Sequence, residues 1–207
     1  MAVERSDVDT KAVKECGLPV LWILGGPGSG KSTQCMMLSK VREMINISPE
    51  ELIKTEAESP TPRGHQISQL IAGGSWQSLD TAIIVDIIAE AMVYQLANWF
   101  GNPEGKSKGF LIDGFPNSVS QAQEFMSRIV PVTKIVYISL DPNTLMERML
   151  LKGSTDLDAA QEASGTFQKE MMPVIEKYKD KVIQVDGSEM SFLVTADINA
   201  ALMNFKL

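Results

Sequence analysis

Lys31 and Ser32 stand at the end of a glycine-rich run, Gly25-Gly26-Pro27-Gly28-Ser29-Gly30, and are followed by Thr33 and the helix-like stretch Gln34-Cys35-Met36-Met37-Leu38. An apolar run, Leu21-Trp22-Ile23-Leu24, leads into the loop. Strand, glycine loop, lysine, hydroxyl and helix, in that order, are what a polyphosphate needs. Gly25, Gly28 and Gly30 can take φ > 0 and let the backbone curl around an anion. The curled N–H groups and the helix N-terminus then point at phosphate oxygens. Lys31 would reach the β- and γ-phosphates, and Ser32 would offer a hydroxyl to Mg²⁺. The full G-x-x-x-x-G-K-S pattern in this setting predicts a nucleoside triphosphate site rather than a glycine turn that merely joins two elements.

A second chemical signal is Asp113, at the end of Gly109-Phe110-Leu111-Ile112-Asp113-Gly114-Phe115-Pro116. A buried parallel strand ending in Asp sets a carboxylate at the C-terminal edge of the sheet, where the glycine loop also opens. Such a carboxylate can hold Mg²⁺ through water beside the phosphates; without the loop it would read as a turn former.

The elements that must position these residues alternate along the chain. Strand-like runs fall at residues 20–24, 109–113, 133–140 and 181–185, with a weaker one at 44–47. The longest helical stretch runs from 79 to about 99, with Ile83, Ile87, Ala91 and Tyr94 on one face and Asp80, Asp86 and Glu90 expected to stay polar. Alternation of this kind predicts an α/β fold, a parallel sheet covered by helices on both faces. Residues 101–107 read as an exposed loop, and the first 16 or so as a polar, poorly ordered lead-in. Ser48-Pro49-Glu50-Glu51 reads as a helix start, with Ser as N-cap and Pro in the first turn, and Asp141-Pro142 as another.

A chain of 207 residues fits one α/β domain. A net charge of −7 argues against broad nucleic-acid binding, which needs a basic surface. No apolar run approaches the roughly 18 residues of a membrane span, and no secretory signal opens the chain. Cys16 and Cys35 have no metal spacing and read as reduced thiols of a cytoplasmic protein. His65 reads as a solvated side chain, Trp22 and Trp76 as packing residues, and the twelve methionines as core filler.

The glycine loop and the Asp113 strand together resemble the adenylate kinase family, in its short-lid cytosolic, isoenzyme-1-like form. The likeness runs from about Pro19 to the C-terminus and includes Ala91-Met92-Val93, Tyr137, Pro142, Arg148 and Pro173-Val174-Ile175. It implies a five-stranded parallel sheet of the P-loop NTPase kind in a single domain over residues 19–207, after a flexible lead-in at 1–18. It also implies a small helical monophosphate-binding region at about 48–78 and a reduced lid at about 153–166. The implied reaction is transfer of the terminal phosphoryl group from Mg-ATP to AMP, giving two ADP, with no nucleic-acid or membrane partner.

Residue by residue, the resemblance makes Gly25 to Thr33 the donor phosphate loop, with Ser32 where the family commonly has Gly, and Asp113 the Mg²⁺-associated carboxylate; Lys31 and Asp113 are then the catalytic candidates, and Asp113, with Ser32 from the loop pattern, the metal candidates. Arg148 matches an arginine that packs on the donor adenine, and Gln121 a glutamine that hydrogen-bonds the AMP adenine. The departures all strike arginines that grip phosphate. Asn117 stands where the family has Arg after Asp-Gly-Phe-Pro; Lys54 replaces the AMP-phosphate arginine; Lys152 and Ala163 replace two more around the lid. Residues 153–166 contain no Lys or Arg but carry Asp156, Asp158 and Glu162. Pro49 and Glu50 replace a family Thr-Gly pair that helps seat AMP, Gln77-Ser78 replaces a Val-Pro pair, and Asn117 can serve as an N-cap. Lys keeps charge but loses the bidentate fork of Arg, and one arginine finger supplies about 10³–10⁵ in rate. Two readings follow: a nucleoside-monophosphate kinase of reduced activity, or a degenerate pseudokinase that binds ATP or ADP as a sensor or interaction module. A GTPase is disfavoured, because no Asn-Lys-x-Asp motif occurs.

Overall fold

The computed structural model describes residues 3, 5–72, 76–100, 107–151 and 157–203. Its centre is a five-stranded, all-parallel sheet of β1 (Val20–Gly25), β2 (Ile45–Ile47), β3 (Phe110–Asp113), β4 (Lys134–Ser139) and β5 (Val182–Asp186), in the order β2-β3-β1-β4-β5. The expected strands are all present, with ends shifted by a residue or two, and the weak candidate at 44–47 is the edge strand β2.

Strand period explains the two cores. Val20, Trp22 and Leu24 of β1 point into one cluster, Leu21 and Ile23 into the other. The larger side is covered by α3 (Pro49–Glu58), α4 (Pro62–Ile71), α5 (Thr81–Phe100), α6 (Val119–Arg128) and α8 (Leu157–Lys177). The smaller is covered by α2 (Lys31–Val41) and α9 (Ser191–Met203). Trp22 lies fully buried, edge-on to the rings of Phe125 and Tyr178. α7 (Pro142–Leu151) follows β4. Of the methionines, Met171 does fill the core, whereas Met36 and Met172 are exposed.

Local chemistry sets the helix starts. Ser48 caps α3, accepting from Glu51 N with Pro49 at the first position, and Thr61 caps α4, accepting from Gly64 N. Asp141 accepts from the Thr144 hydroxyl and from Thr144 N and Asn143 N at the start of α7, which holds its carboxyl below the usual range. Asn117 is not a cap: Ser118 takes that place on α6, its hydroxyl accepting from Gln121 N.

Four expectations are corrected. The lead-in carries α1 (Lys11–Glu15) and is packed: Val13 is buried and Thr10 Oγ1 donates to Arg128 O at 2.8 Å. Asp86 is not on a polar outer face. It is 1% exposed, and Arg5 and Arg128 both donate to it, Arg5 Nε at 3.1 Å. Tyr94, expected inside, is exposed instead. The helix is also more apolar than the sequence reading allowed. Thr81–Asn98 is long and apolar enough by composition to cross a membrane, at mean hydropathy 1.3, and half of it is buried here as the core helix α5.

The Asp86 cluster supplies a stability test. A carboxylate taken out of water must be paired, and removing one partner of a buried pair costs about 3–5 kcal/mol. With Arg5 remaining, Arg128→Met is expected to lower unfolding stability by about 2–3 kcal/mol in urea titrations. A loss under about 0.5 kcal/mol would show that Arg5 suffices.

Candidate active site

β1 and β3 are neighbours, with Ile23 paired to Asp113 and Gly114 N donating to Ile23 O at 3.0 Å. This register brings the loop after β1 and the carboxylate ending β3 to one edge of the sheet, although some 90 residues separate them in the chain. The loop closes through Ser29 N to Gly26 O at 3.1 Å and enters α2 at Lys31. Gly28 and Gly30 have φ of 83° and 87°, as a curled phosphate-binding loop requires. Gly25 is glycine for a different reason than the expected φ > 0. A Cβ there would lie 2.4 Å from Ser29 Oγ and 2.9 Å from Ile138 O.

A cleft of about 450 Å³ opens in front of the loop. Gly25, Pro27, Lys31, Ser32, Asp113 and Gly114 are among its lining residues. Lys31 runs across Gly114, where a Cβ would meet Lys31 Cε at 3.0 Å. Asp113 is 8% exposed. Burial pushes its carboxyl up, against hydrogen bonds from Ser32 and Cys35 and the charge of Lys31. Its Oδ1 has no hydrogen-bond partner, nor has the buried hydroxyl of Ser29. An unsatisfied buried carboxylate oxygen beside a hydroxyl and an ammonium fits a hydrated divalent cation carried on phosphates. Among the described residues no group of three or more His, Cys, Asp or Glu side chains could hold a metal. The cation would therefore rest on Ser32, Asp113 and the phosphates themselves.

The rest of the described lining is Ser48, Glu50, Trp76, Gln77, Asn117, Phe167, Glu170 and Met171, and no arginine is among these residues. Asn117 leaves its Nδ2 buried and without a partner. Lys54 does not reach the cleft lining. It is exposed on α3 and donates to Glu50 Oε1 at 2.6 Å. Gln121 is buried behind the lining, with its Oε1 accepting from Asn117 N at 2.8 Å. Arg148 lies apart from the cleft, its Nη2 donating to Ser188 O at 3.0 Å on the β5–α9 turn. Gly26 lines a neighbouring recess of about 470 Å³ with Tyr137, Leu145 and Phe167. Gly28, Ser29, Gly30 and Thr33 belong to the loop and α2 without lining the cleft. Lys152, residues 153–156 and the side chains of Asp158, Glu162 and Ala163 lie outside the described residues.

Trp76 was expected only to pack; it also faces the cleft. Phe167, Glu170 and Met171 on α8 were missed as lining residues, since nothing local in sequence links that helix to the loop.

A glycine-loop triphosphate cradle, a strand-end carboxylate one strand away and a parallel sheet of this order define a P-loop nucleotide phosphotransferase fold. The family model for adenylate kinase matches residues 23–183. The chain is 32% identical over 211 residues to adenylate kinase isoenzyme 1 of Caenorhabditis elegans, covering 96% of both chains. It is 32% identical over 170 residues to adenylate kinase isoenzyme 1 of Homo sapiens, covering 79% of this chain and 82% of that one. Adenylate kinase 1 of Drosophila melanogaster is 27% identical over 178 residues. The chain belongs to the adenylate kinase family.

Proposed function

We propose that this chain binds Mg-ATP in the loop of residues 25–33 and transfers its terminal phosphoryl group to a nucleoside monophosphate, AMP by preference, at a low rate. The observation that carries this reading is the asymmetry of the cleft. Lys31, Ser32 and Asp113 line it from the glycine loop, α2 and β3, while Asn117, Glu50 and Glu170 line it from other elements, and no arginine stands among its described lining residues.

Phosphoryl transfer depends on holding donor and acceptor in line and on neutralising charge spread over the transferred group. Lys31 and the loop N–H groups orient the β- and γ-phosphates. Ser32 and Asp113 would hold Mg²⁺, which neutralises phosphate charge when bound. Arg148, tethered to Ser188, would lie on the donor adenine. Gln121 would read the acceptor adenine through the amide atoms that its bond to Asn117 leaves. No base is needed to activate the acceptor, whose phosphate oxygens are already ionised. What the acceptor lacks is a fork to fix it: one missing arginine finger corresponds to about 4–7 kcal/mol of barrier. The free thiols Cys16 and Cys35 and the core placement of α5 support a cytoplasmic setting.

A second reading, a nucleotide-binding sensor without transfer, is favoured by Glu50 and Glu170 lining the cleft. Single-turnover reactions with γ-labelled Mg-ATP and AMP, CMP or UMP at high enzyme concentration separate the two. The proposal expects label on AMP, slowly, and less on the others. ATP bound but never discharged would establish the sensor.

A further inference from the structure

Glu50 occupies the first turn of α3, directly after Pro49, and lines the same cleft as Lys31, Ser32, Asp113 and Asn117. The cation one turn on, Lys54, is drawn onto it, with Nζ donating to Glu50 Oε1 at 2.6 Å, and does not itself line the cleft. Glu170 brings a second carboxylate to the same cleft from α8. Asn117 Nδ2, in the same cleft, is a buried donor without charge. A triphosphate seated on Lys31 has its cation. A second phosphate in the same cleft would lie among the carboxylates Glu50 and Glu170 and neutral groups such as Ser48, Gln77 and Asn117.

We propose that Glu50 sets acceptor affinity by charge, weakening the binding of a phosphate dianion next to the donor. This rests on donor binding by the loop as proposed above and adds the reason the acceptor half is weak. A purely structural role for Glu50, favouring the α3 N-terminus through the helix dipole, is equally available to Glu51. Glu51 sits in the same turn, is exposed, and is not part of the cleft lining. The two glutamates therefore separate helix-dipole support from action on a ligand; of the two, Glu50 alone also pairs with Lys54.

The test titrates AMP, and in parallel adenosine, into protein saturated with a non-hydrolysable Mg-ATP analogue, for wild type, Glu50→Gln and Glu51→Gln. Removing one charge about 6 Å from a dianion in water-like surroundings should tighten AMP by about threefold to tenfold. Adenosine should be unchanged in Glu50→Gln, and neither ligand should respond to Glu51→Gln. In turnover the gain should appear in KM for AMP with kcat little altered. Equal shifts for AMP and adenosine, an equal response to Glu51→Gln, or no AMP gain in Glu50→Gln would each overturn the proposal. Glu50→Ser, which also keeps a good first-turn residue, repeats the test should Glu50→Gln melt below wild type. Failure of the ATP analogue to bind wild type would instead overturn the donor-site reading, so the two failures are distinguishable.

Discussion

Lys31→Ala is expected to remove most of the stabilisation that Mg-ATP gives this protein. A ligand at about 100 times its Kd adds about 2.7 kcal/mol to unfolding stability, a rise of roughly 5–10 °C in Tm for a domain of this size. Lys31 is the cation of the loop, carried across Gly114 into the cleft. A hydrogen bond to a charged group contributes about 1.5–3 kcal/mol, so its loss should weaken ATP by about 10- to 100-fold. At the same ligand concentration the stabilisation then falls to about 0.4–1.4 kcal/mol. The unliganded variant should melt close to wild type, because the side chain lies in an open cleft rather than in either core. Thermal melts with and without millimolar Mg-ATP check this. A wild type that does not respond to ATP would refute nucleotide binding itself, and a variant that keeps the full shift would place the phosphates away from the loop.

Asn117→Arg is expected to raise transfer to AMP by tenfold or more with ATP affinity nearly unchanged. The position is favourable for the change. Its side chain caps nothing, since Ser118 caps α6, and the bond from Asn117 N to Gln121 Oε1 belongs to the backbone. The substitution replaces a partnerless buried amide nitrogen by a guanidinium in the cleft, restoring a fork matched to phosphate. Glu50 and Glu170 line the same space and would compete for that fork. Combining the change with Glu50→Gln should therefore give more than the product of the two single effects. Steady-state and single-turnover rates measure both. Wild-type turnover already at tens per second would refute the premise of an impaired acceptor side. No gain in the double variant would move the defect to the acidic run at 156–162 and the vacancy at Ala163.

Much of the architecture was legible because it depends on local patterns. Apolar runs with the right flanks gave all five strands, and Ser48-Pro49 and Asp141-Pro142 announced their helices. The loop and Asp113 were legible as a pair because each ends a strand, and the sheet order makes those strands neighbours. Residues whose place depends on which partner they or their neighbours take were not. Asp86 looked solvent-facing by helical period, and only Arg5 and Arg128, 81 and 42 residues away, make its burial tolerable. Lys54 looked like a phosphate ligand by position, yet the carboxylate one turn back holds it outside the cleft. Asn117 looked like a cap because it follows proline, but the next residue has the better geometry. The contribution of α8 to the cleft, through Phe167, Glu170 and Met171, depends on packing between elements that no local pattern encodes.

The sheet order bears on how the protein is made. β1 pairs only with β3 and β4, so Val20 waits for Phe110 and Leu21 for Lys134 before the first strand has neighbours on both sides. Contacts of such sequence separation form late and slowly. A nascent chain emerging from the ribosome displays the glycine loop early, but without Asp113 to face it and with an apolar strand still unpaired. Only a chain synthesised past β4 can build the cleft, and any nucleotide that settles there holds the completed sheet together rather than guiding its assembly.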